Sequence, residues 1–128
     1  MKRHNPPTIS PPLGQYSHGV EVPANARRLY ISGQVGVGPD GTIPPDSEAQ
    51  MEIIWTNIHA TLASAGMTAA DIVKVTTYIT RAEDFAVHPR VRARHLGDNH
   101  ACATGLLVAG LAKPELLVEI EVVAARAD

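Results

Sequence analysis

The sequence predicts a single α/β (α+β) domain in which two helices cover one face of a mixed β-sheet. Its 128 residues are 45% hydrophobic and 19% charged, which suits one domain with its own core over residues 1–128. Strand-like and helix-like patterns follow one another in the order β-β-α-β-α-β-β. Two helices can cover only one face of such a sheet. The other face carries Val, Thr and Ile, so we expect it to meet another subunit.

The first half of the chain begins with a proline-rich stretch, residues 1–12, that predicts an extended arm. Gln15–Glu21 and Arg28–Val37 then read as two strands. The second strand has β-branched and aromatic residues and ends at the turn residues Pro39-Asp40-Gly41.

A long amphipathic helix is predicted over Ser47–Ala65. Asp46 or Ser47 can cap its first turn, Ser47 and Gln50 have capping-box spacing, and Gly66 can end it. The spacing of its apolar residues in steps of three and four predicts one buried stripe, made of Met51, Ile54, Ile58, Leu62 and Ala65.

The second half of the chain predicts a strand over Ile72–Thr80, with Val73, Val75, Thr77 and Ile79 on one face. A shorter helix is expected over about Phe85–Leu96, and Pro89 limits its start to the neighbourhood of His88. Two strands complete the chain, Gly105–Leu111 and Leu116–Ala124.

Composition excludes several classes of function. The net charge of −2 gives no electrostatic reason to expect nucleic acid or an anionic membrane as partner. The single cysteine, Cys102, excludes an internal disulfide. With no apolar run long enough to cross a bilayer and no apolar leader, we expect a cytoplasmic protein.

The last strand carries the first candidate site. Alternation places Glu119 and Glu121 on the face opposite the apolar Val118, Ile120 and Val122. These glutamates are either solvated or salt-bridged carboxylates, or one of them is a partly desolvated group that holds and activates water.

Other motifs give weaker evidence for a functional site. The glycines of "YISGQVGVG" have the wrong spacing for a phosphate loop, but Gly33 inside a strand allows a ligand or another backbone to approach closely. The cluster of His95, Asp98 and His100 lacks cysteine partners and favours a loop, so we expect no metal. Cys102 favours an inert small residue over a nucleophile.

A basic stripe of Arg90, Arg92 and Arg94 marks the second helix. Such stripes are typical of solvated helix faces. The chain also has few aromatic side chains, one Phe and three Tyr, that could stack on nucleic acid bases.

Four segments together resemble one family: "LGQYSHGVEV", "LYISGQVGV", "AQMEIIWTNIHATLASAGMTAADIVKVTTYI" and "LVEIEVVAA". Their order and content resemble the Rid family (reactive intermediate deaminases, or YjgF family). The resemblance implies a chorismate-mutase-like fold and a homotrimer with clefts between subunits. It also implies hydrolysis of enamines and imines, such as 2-aminoacrylate, to a 2-oxo acid and ammonia without cofactor or metal.

The resemblance also implies roles for single residues. The cleft glutamate of the family matches Glu119, and Glu121 then becomes its structural or interface neighbour. The cleft tyrosine matches Tyr16, and the serine and glycine of the family's SGQ match Ser32 and Gly33.

One departure from the family concerns its signature arginine, which grips the substrate carboxylate. The matching position is Ala103, followed by Thr104 and Gly105, if one residue is inserted in the turn before the last strand. Without that insertion it is Thr104. Losing such a contact typically costs about 2–5 kcal/mol when it is desolvated. Either the substrate lacks the carboxylate or another group holds it, the alternatives being His88, His100 and the three arginines of the basic stripe.

These considerations predict a hydrolytic deaminase of enamines or imines whose specificity differs from 2-aminoacrylate. The alternative is a non-catalytic trimeric small-ligand binder or a chaperone-like protein that uses the same cleft. An endoribonuclease, a label used within this family, is disfavoured by the net charge and the lack of stacking aromatics.

Overall fold

The computed structural model describes residues 1–128, which form six strands and two α-helices. The helices are α1 (Ser47–Ser64) and α2 (His88–Leu96), and single 3-10 turns occupy Ala69–Asp71 and Ala82–Ala86. In chain order, the strands are β1 (Lys2–His4), β2 (Gly19–Glu21), β3 (Arg27–Val35), β4 (Ile72–Ile79), β5 (Cys102–Leu107) and β6 (Val118–Arg126).

The main sheet has the strand order β3-β6-β4-β5. Strand β6 pairs antiparallel with β3 and β4, whereas β5 runs parallel to β4 and connects to it through α2. Strands β1 and β2 form a separate antiparallel ribbon. The predicted mixed sheet with both helices on one face is therefore confirmed.

The core lies between the sheet and the helices. Alternate residues of β4 and β6 are buried, as their sequence pattern predicts, and the other residues point to the uncovered side, here called the open face. The predicted stripe of α1 is confirmed at Met51, Ile54, Ile58 and Leu62, all fully buried, and Trp55 joins them. Each such side chain contributes about 1.5–3 kcal/mol by leaving water.

The start of α1 is fixed by two different side chains. Asp46 is the cap, since its carboxylate accepts a hydrogen bond from the backbone N–H of Ala49 at 3.0 Å. Ser47 instead donates to the buried Asp84 at 2.8 Å, and thereby holds the turn before α2 against α1. The helix ends at Ser64, and Gly66 follows with φ 69°.

A buried glutamine connects the loops at one end of the sheet. Gln50 of α1 is fully buried, donates to the carbonyls of Pro44 and Glu115, and accepts from the N–H of Leu117. It therefore does not complete the capping box that its spacing suggested. A Cβ on Gly36 would lie 2.6 Å from Gln50 Cα, so only glycine permits this approach of β3 to α1.

Two predicted elements are wrong in part. The predicted strand Gln15–Glu21 is a strand only from Gly19, because the N–H of Ser17 bonds to the carbonyl of Ala101 rather than to a sheet. Within the predicted extended arm, Lys2–His4 pairs with β2, and a hydrogen bond between the side chains of His4 and Glu21 supports the ribbon.

The predicted strand Gly105–Leu111 begins and ends earlier than expected. Strand β5 runs over Cys102–Leu107, because its register is set by the parallel ladder with β4 from Lys74 to Ile79. The open face carries Lys74 and both glutamates of β6, as the alternation of β6 predicts for the glutamates. No helix is long and apolar enough to cross a membrane.

Candidate functional site

A cleft of about 680 Å³ lies between α2 and the outer strand β5. We call it the α2–β5 cleft. Its walls combine the ring of Phe85 and the exposed Leu13 with polar groups, and its lining includes Tyr16, His88, Arg92, Ala103 and Gly105.

The cleft has room because β5 presents small residues to α2. Ala103 pairs with Val75 and Gly105 with Thr77, both buried, so these two positions point to the helix side of the sheet. A Cβ on Gly105 would lie 3.4 Å from His88 Nε2, which is van der Waals contact, so the ring of His88 lies directly against this position of β5. Thr104 points the other way and accepts a hydrogen bond from Lys74 Nζ at 2.7 Å.

His88 is a neutral imidazole at neutral pH. The residue is only 7% exposed. This burial, together with the nearby charge of Arg92, lowers the pKa of His88 to about 4. Its Nδ1 is buried without a hydrogen-bond partner. A buried ring nitrogen without a hydrogen-bond partner is uncommon in folded proteins.

Arg92 corrects the interpretation of the basic stripe. Arg90 and Arg94 are solvated as expected and pair with Glu48, at 2.7 and 3.2 Å. Arg92 is only 8% exposed, and no ion pair includes it. Burial, with no carboxylate nearby to oppose it, lowers the pKa of its guanidinium from the ordinary value.

Tyr16 reaches the cleft from an irregular loop rather than from the predicted strand. The loop is held by the bond from Ser17 N–H to the carbonyl of Ala101, just before β5. The phenol oxygen of Tyr16 accepts a hydrogen bond from the N–H of Leu13 at 3.2 Å. Its hydroxyl proton is therefore free to be donated to a ligand.

The second group of predicted site residues lies across the sheet, on and beside the open face. Ser32 and Gly33 occupy a β-bulge, where the register of β3 against β6 shifts between Ile31 and Gln34. A Cβ on Gly33 would lie 2.7 Å from Glu119 Cδ and would overlap the carboxylate. The close approach predicted at Gly33 is thus made by the side chain of Glu119. We call Ser32, Gly33 and Glu119 the Glu119 edge.

The two glutamates of β6 have different surroundings. Glu121 accepts a hydrogen bond from the hydroxyl of Tyr78, and this bond raises the pKa of the tyrosine. Glu119 is half-buried and belongs to no ion pair. One carboxylate is therefore held within the chain, and the other remains available.

The structure does not bring all the predicted site residues together in one chain. Tyr16, His88, Ala103 and Gly105 line the α2–β5 cleft, whereas Thr104 faces the opposite side of the sheet. The Glu119 edge lies on β3 and β6, and β4 separates β6 from β5. Strands are about 4.8 Å apart, so β3 and β5 are about 14 Å apart.

Arg92 is the residue that sequence reasoning did not assign to the site. In the sequence it is one of several alternatives for the group that holds a carboxylate, and nothing local distinguishes it from Arg90 and Arg94. Its spacing of four residues from His88, which places both on one helix face, is the signal that could have selected it.

Other titratable groups form no metal site, since no three His, Cys, Asp or Glu side chains converge. His95 lies on α2 rather than in a loop, stacks on Trp55 and bonds to His59 and Glu52. The Cys102 thiol is partly buried beside the carbonyl of His18.

Comparisons with known proteins agree along nearly the whole chain. The family model described as Endoribonuclease L-PSP matches residues 8–126. TdcF of Escherichia coli K12, named as a candidate reactive intermediate deaminase, is 32% identical over 118 residues, which are 89% of this chain and 88% of TdcF.

Solved structures give the same result. YyfB from Yersinia pestis, described as a protein of unknown function of the conserved Rid family, has a TM-score of 0.86 at 33% identity and covers 98% of both chains. RidA from an Antarctic Psychrobacter has a TM-score of 0.72 at 34% identity, covering 88% of this chain and 89% of its own. These likenesses confirm the predicted fold.

Proposed function

Because this chain belongs to the Rid family, we propose that it hydrolyses small imines or enamines to a carbonyl compound and ammonia. One observation carries the proposal. The carboxylate of Glu119 lies over Gly33 with no cation to neutralise it, where a side chain on residue 33 would displace it. A carboxylate kept free in this way can hold a water molecule and take up its proton.

The complete site is proposed to form between two subunits of a homotrimer. In a single chain the α2–β5 cleft lies at the β5 edge of the main sheet, and the Glu119 edge lies on β3 and β6, on the other side of β4. A cyclic trimer would apply the β5 edge of each subunit to the β3 side of its neighbour. Each of the three interfaces would then pair one cleft with one glutamate.

The proposed reaction needs few groups. Water held by Glu119 adds to the imine carbon, and its proton passes through the carboxylate to the nitrogen. The hydroxyl proton of the carbinolamine then passes through the same carboxylate to the amino group, the C–N bond breaks, and ammonia leaves the carbonyl compound. An enamine first becomes the imine by a shift of a proton from nitrogen to carbon. Tyr16 and Ser32 position the substrate, and the backbone N–H of Gly33 donates to its anionic group. Catalysis would come from orientation and fixed dipoles.

Specificity is proposed to differ from that for 2-aminoacrylate. The resemblance places the family arginine at Ala103, which lines the cleft, whereas the alternative position Thr104 points away from it. Alanine cannot grip a carboxylate there, so a substrate must either lack this group or bind it elsewhere.

The test supplies imines with a carboxylate from an amino-acid oxidase, and imines without one from an amine oxidase, and follows ammonia release. The protein is expected to accelerate hydrolysis of at least one type. Glu119→Ala should lower that rate by about 10²–10⁴-fold, because the group that takes up the proton is gone. Glu121→Gln serves as control, since this carboxylate is engaged by Tyr78.

Two outcomes would count against the enzyme. If neither imine reacts faster than in buffer, the deaminase proposal fails, and binding without turnover would favour the non-catalytic ligand binder. A monomer at micromolar concentration in light scattering would remove the interface on which the complete site depends.

A further inference from the structure

We propose that Arg92 is the carboxylate-binding group of the α2–β5 cleft, so that the ligand is a small organic carboxylate held from α2 rather than from β5. This inference rests on the proposed function in one respect only, since it concerns the same cleft. The inference goes beyond the proposed function because it assigns the anionic group of the ligand and the side chain that recognises this group.

The first argument is the state of the guanidinium. Arg92 is only 8% exposed, lines the cleft and has no acidic partner. Buried charges in proteins are normally paired, because an uncompensated charge away from water is costly. Its neighbours on α2 show the usual arrangement, as both Arg90 and Arg94 pair with glutamates of α1. An unpaired arginine inside a cleft therefore points to an anion supplied from outside the chain.

The second argument is geometric. Helix α2 and strand β5 run in opposite directions around the cleft, and His88 lies against Gly105. One helical turn from His88 to Arg92 advances about 5–6 Å, close to the two-residue step of about 6.6 Å from Gly105 to Ala103. Arg92 therefore lies at the level of Ala103. The methyl group at that position leaves the guanidinium accessible.

The third argument is the composition of the rest of the cleft. His88 lines the cleft as a neutral ring, and Tyr16 offers a hydroxyl proton. The remaining wall, from Phe85 and Leu13, is apolar. A ligand with one carboxylate and a short polar or apolar remainder, such as a 2-oxo acid, satisfies the guanidinium, the two neutral polar groups and the apolar wall together.

The test compares the binding of 2-oxobutanoate with that of 2-oxobutanamide, which lacks the negative charge, by calorimetry on the oligomeric protein. The unaltered chain should bind the acid more tightly than the amide. Arg92→Gln should weaken acid binding by at least about 30-fold and leave amide binding nearly unchanged. Arg90→Gln, the matched control on the same helix, should change neither affinity.

A second variant leaves Arg92 itself in place. Ala103→Glu puts a carboxylate beside the guanidinium and should likewise abolish the preference for the acid, whereas Ala103→Gln should keep it. Equal acid affinity in the unaltered chain and in Arg92→Gln, or an unchanged preference in Ala103→Glu, would overturn the assignment.

Binding and turnover separate this inference from the proposed function. If the protein binds the acid through Arg92 but hydrolyses no imine, the deaminase proposal fails and the inference stands. If imines are hydrolysed but Arg92→Gln does not change the affinity for the acid, only the inference fails.

Discussion

The α2–β5 cleft and the Glu119 edge each contain a charge without a partner, yet the chain keeps them available by different means. In the cleft, the guanidinium of Arg92 is buried, and the small residues Ala103 and Gly105 leave space beside it. At the Glu119 edge, the space is made by the missing side chain of Gly33. The sheet separates the two charges, so they cannot neutralise one another within one chain. Unpaired groups kept apart at a stability cost indicate function rather than folding.

The largest expected effect compares Gly33, within β3, with Gly36, which directly follows β3. Gly36→Ala should lower the free energy of unfolding by about 3 kcal/mol, since its Cβ would lie 2.6 Å from the backbone Cα of Gln50. Gly33→Ala should cost less than about 1 kcal/mol, because the obstructing atoms are the end of a flexible side chain that can rotate away.

Activity should reverse this order. By moving the carboxylate, Gly33→Ala should reduce imine hydrolysis by about 100-fold, whereas the folded fraction of Gly36→Ala should keep its rate per site. Urea unfolding and initial rates measure both. Full activity in Gly33→Ala would show that the position of Glu119 over residue 33 is unimportant.

The next effect concerns His88 and pH. Burial lowers the pKa of His88 to about 4 from an ordinary 6.5. Below pH 6.5, His88 therefore binds a proton in the unfolded chain but stays neutral in the folded chain until the pH approaches 4. The stabilisation is complete above pH 6.5 and is lost as the pH falls towards 4, by about 3 kcal/mol.

Thermal or urea unfolding of the unaltered chain and of His88→Gln between pH 4 and 7 isolates this contribution. The unfolding free energy of the unaltered chain minus that of His88→Gln should decrease as the pH falls. A difference that is constant across this range would mean that His88 is not held neutral in the cleft.

The smallest effect is a gain. Arg92→Met should raise the free energy of unfolding by about 1 kcal/mol, because it removes a buried charge that has no partner. Arg90→Gln should lower it by about 0–1 kcal/mol, the usual value of an exposed ion pair. Urea unfolding without any carboxylate ligand measures both. A clear loss of stability in Arg92→Met would show that the arginine supports the fold rather than a ligand.

Much of the fold could be predicted because period and burial agree along the chain. The stripe of α1, the start of α2 at His88 next to Pro89 and the alternation of β6 all follow local rules. The start of β5 could not be predicted, because the register of a parallel strand is set by its partner and not by its own residues. The loop that carries Tyr16 has the same origin, a backbone bond to Ala101 distant in sequence.

The candidate site divides in the same way. Alternation places Glu119 and Glu121 on one face, and only the family resemblance selects Glu119. The close approach at Gly33 follows from a glycine within a strand. Arg92 could not be separated from Arg90 and Arg94, because the acidic partners Glu48 and Glu52 lie on another helix. Which of three similar charges stays unpaired is a property of packing between elements.

The central claim is that the α2–β5 cleft of one subunit works with the Glu119 edge of another, and subunit mixing tests it most directly. Glu119→Gln should inactivate the Glu119 edge. Ala103→Phe should inactivate the α2–β5 cleft by filling it. Refolded separately, both proteins should be inactive. Refolded together in equal amounts, they should regain about a quarter of the unaltered activity per site, the fraction of interfaces that join an intact cleft to an intact edge. A mixture as inactive as its components would contradict a site shared between subunits.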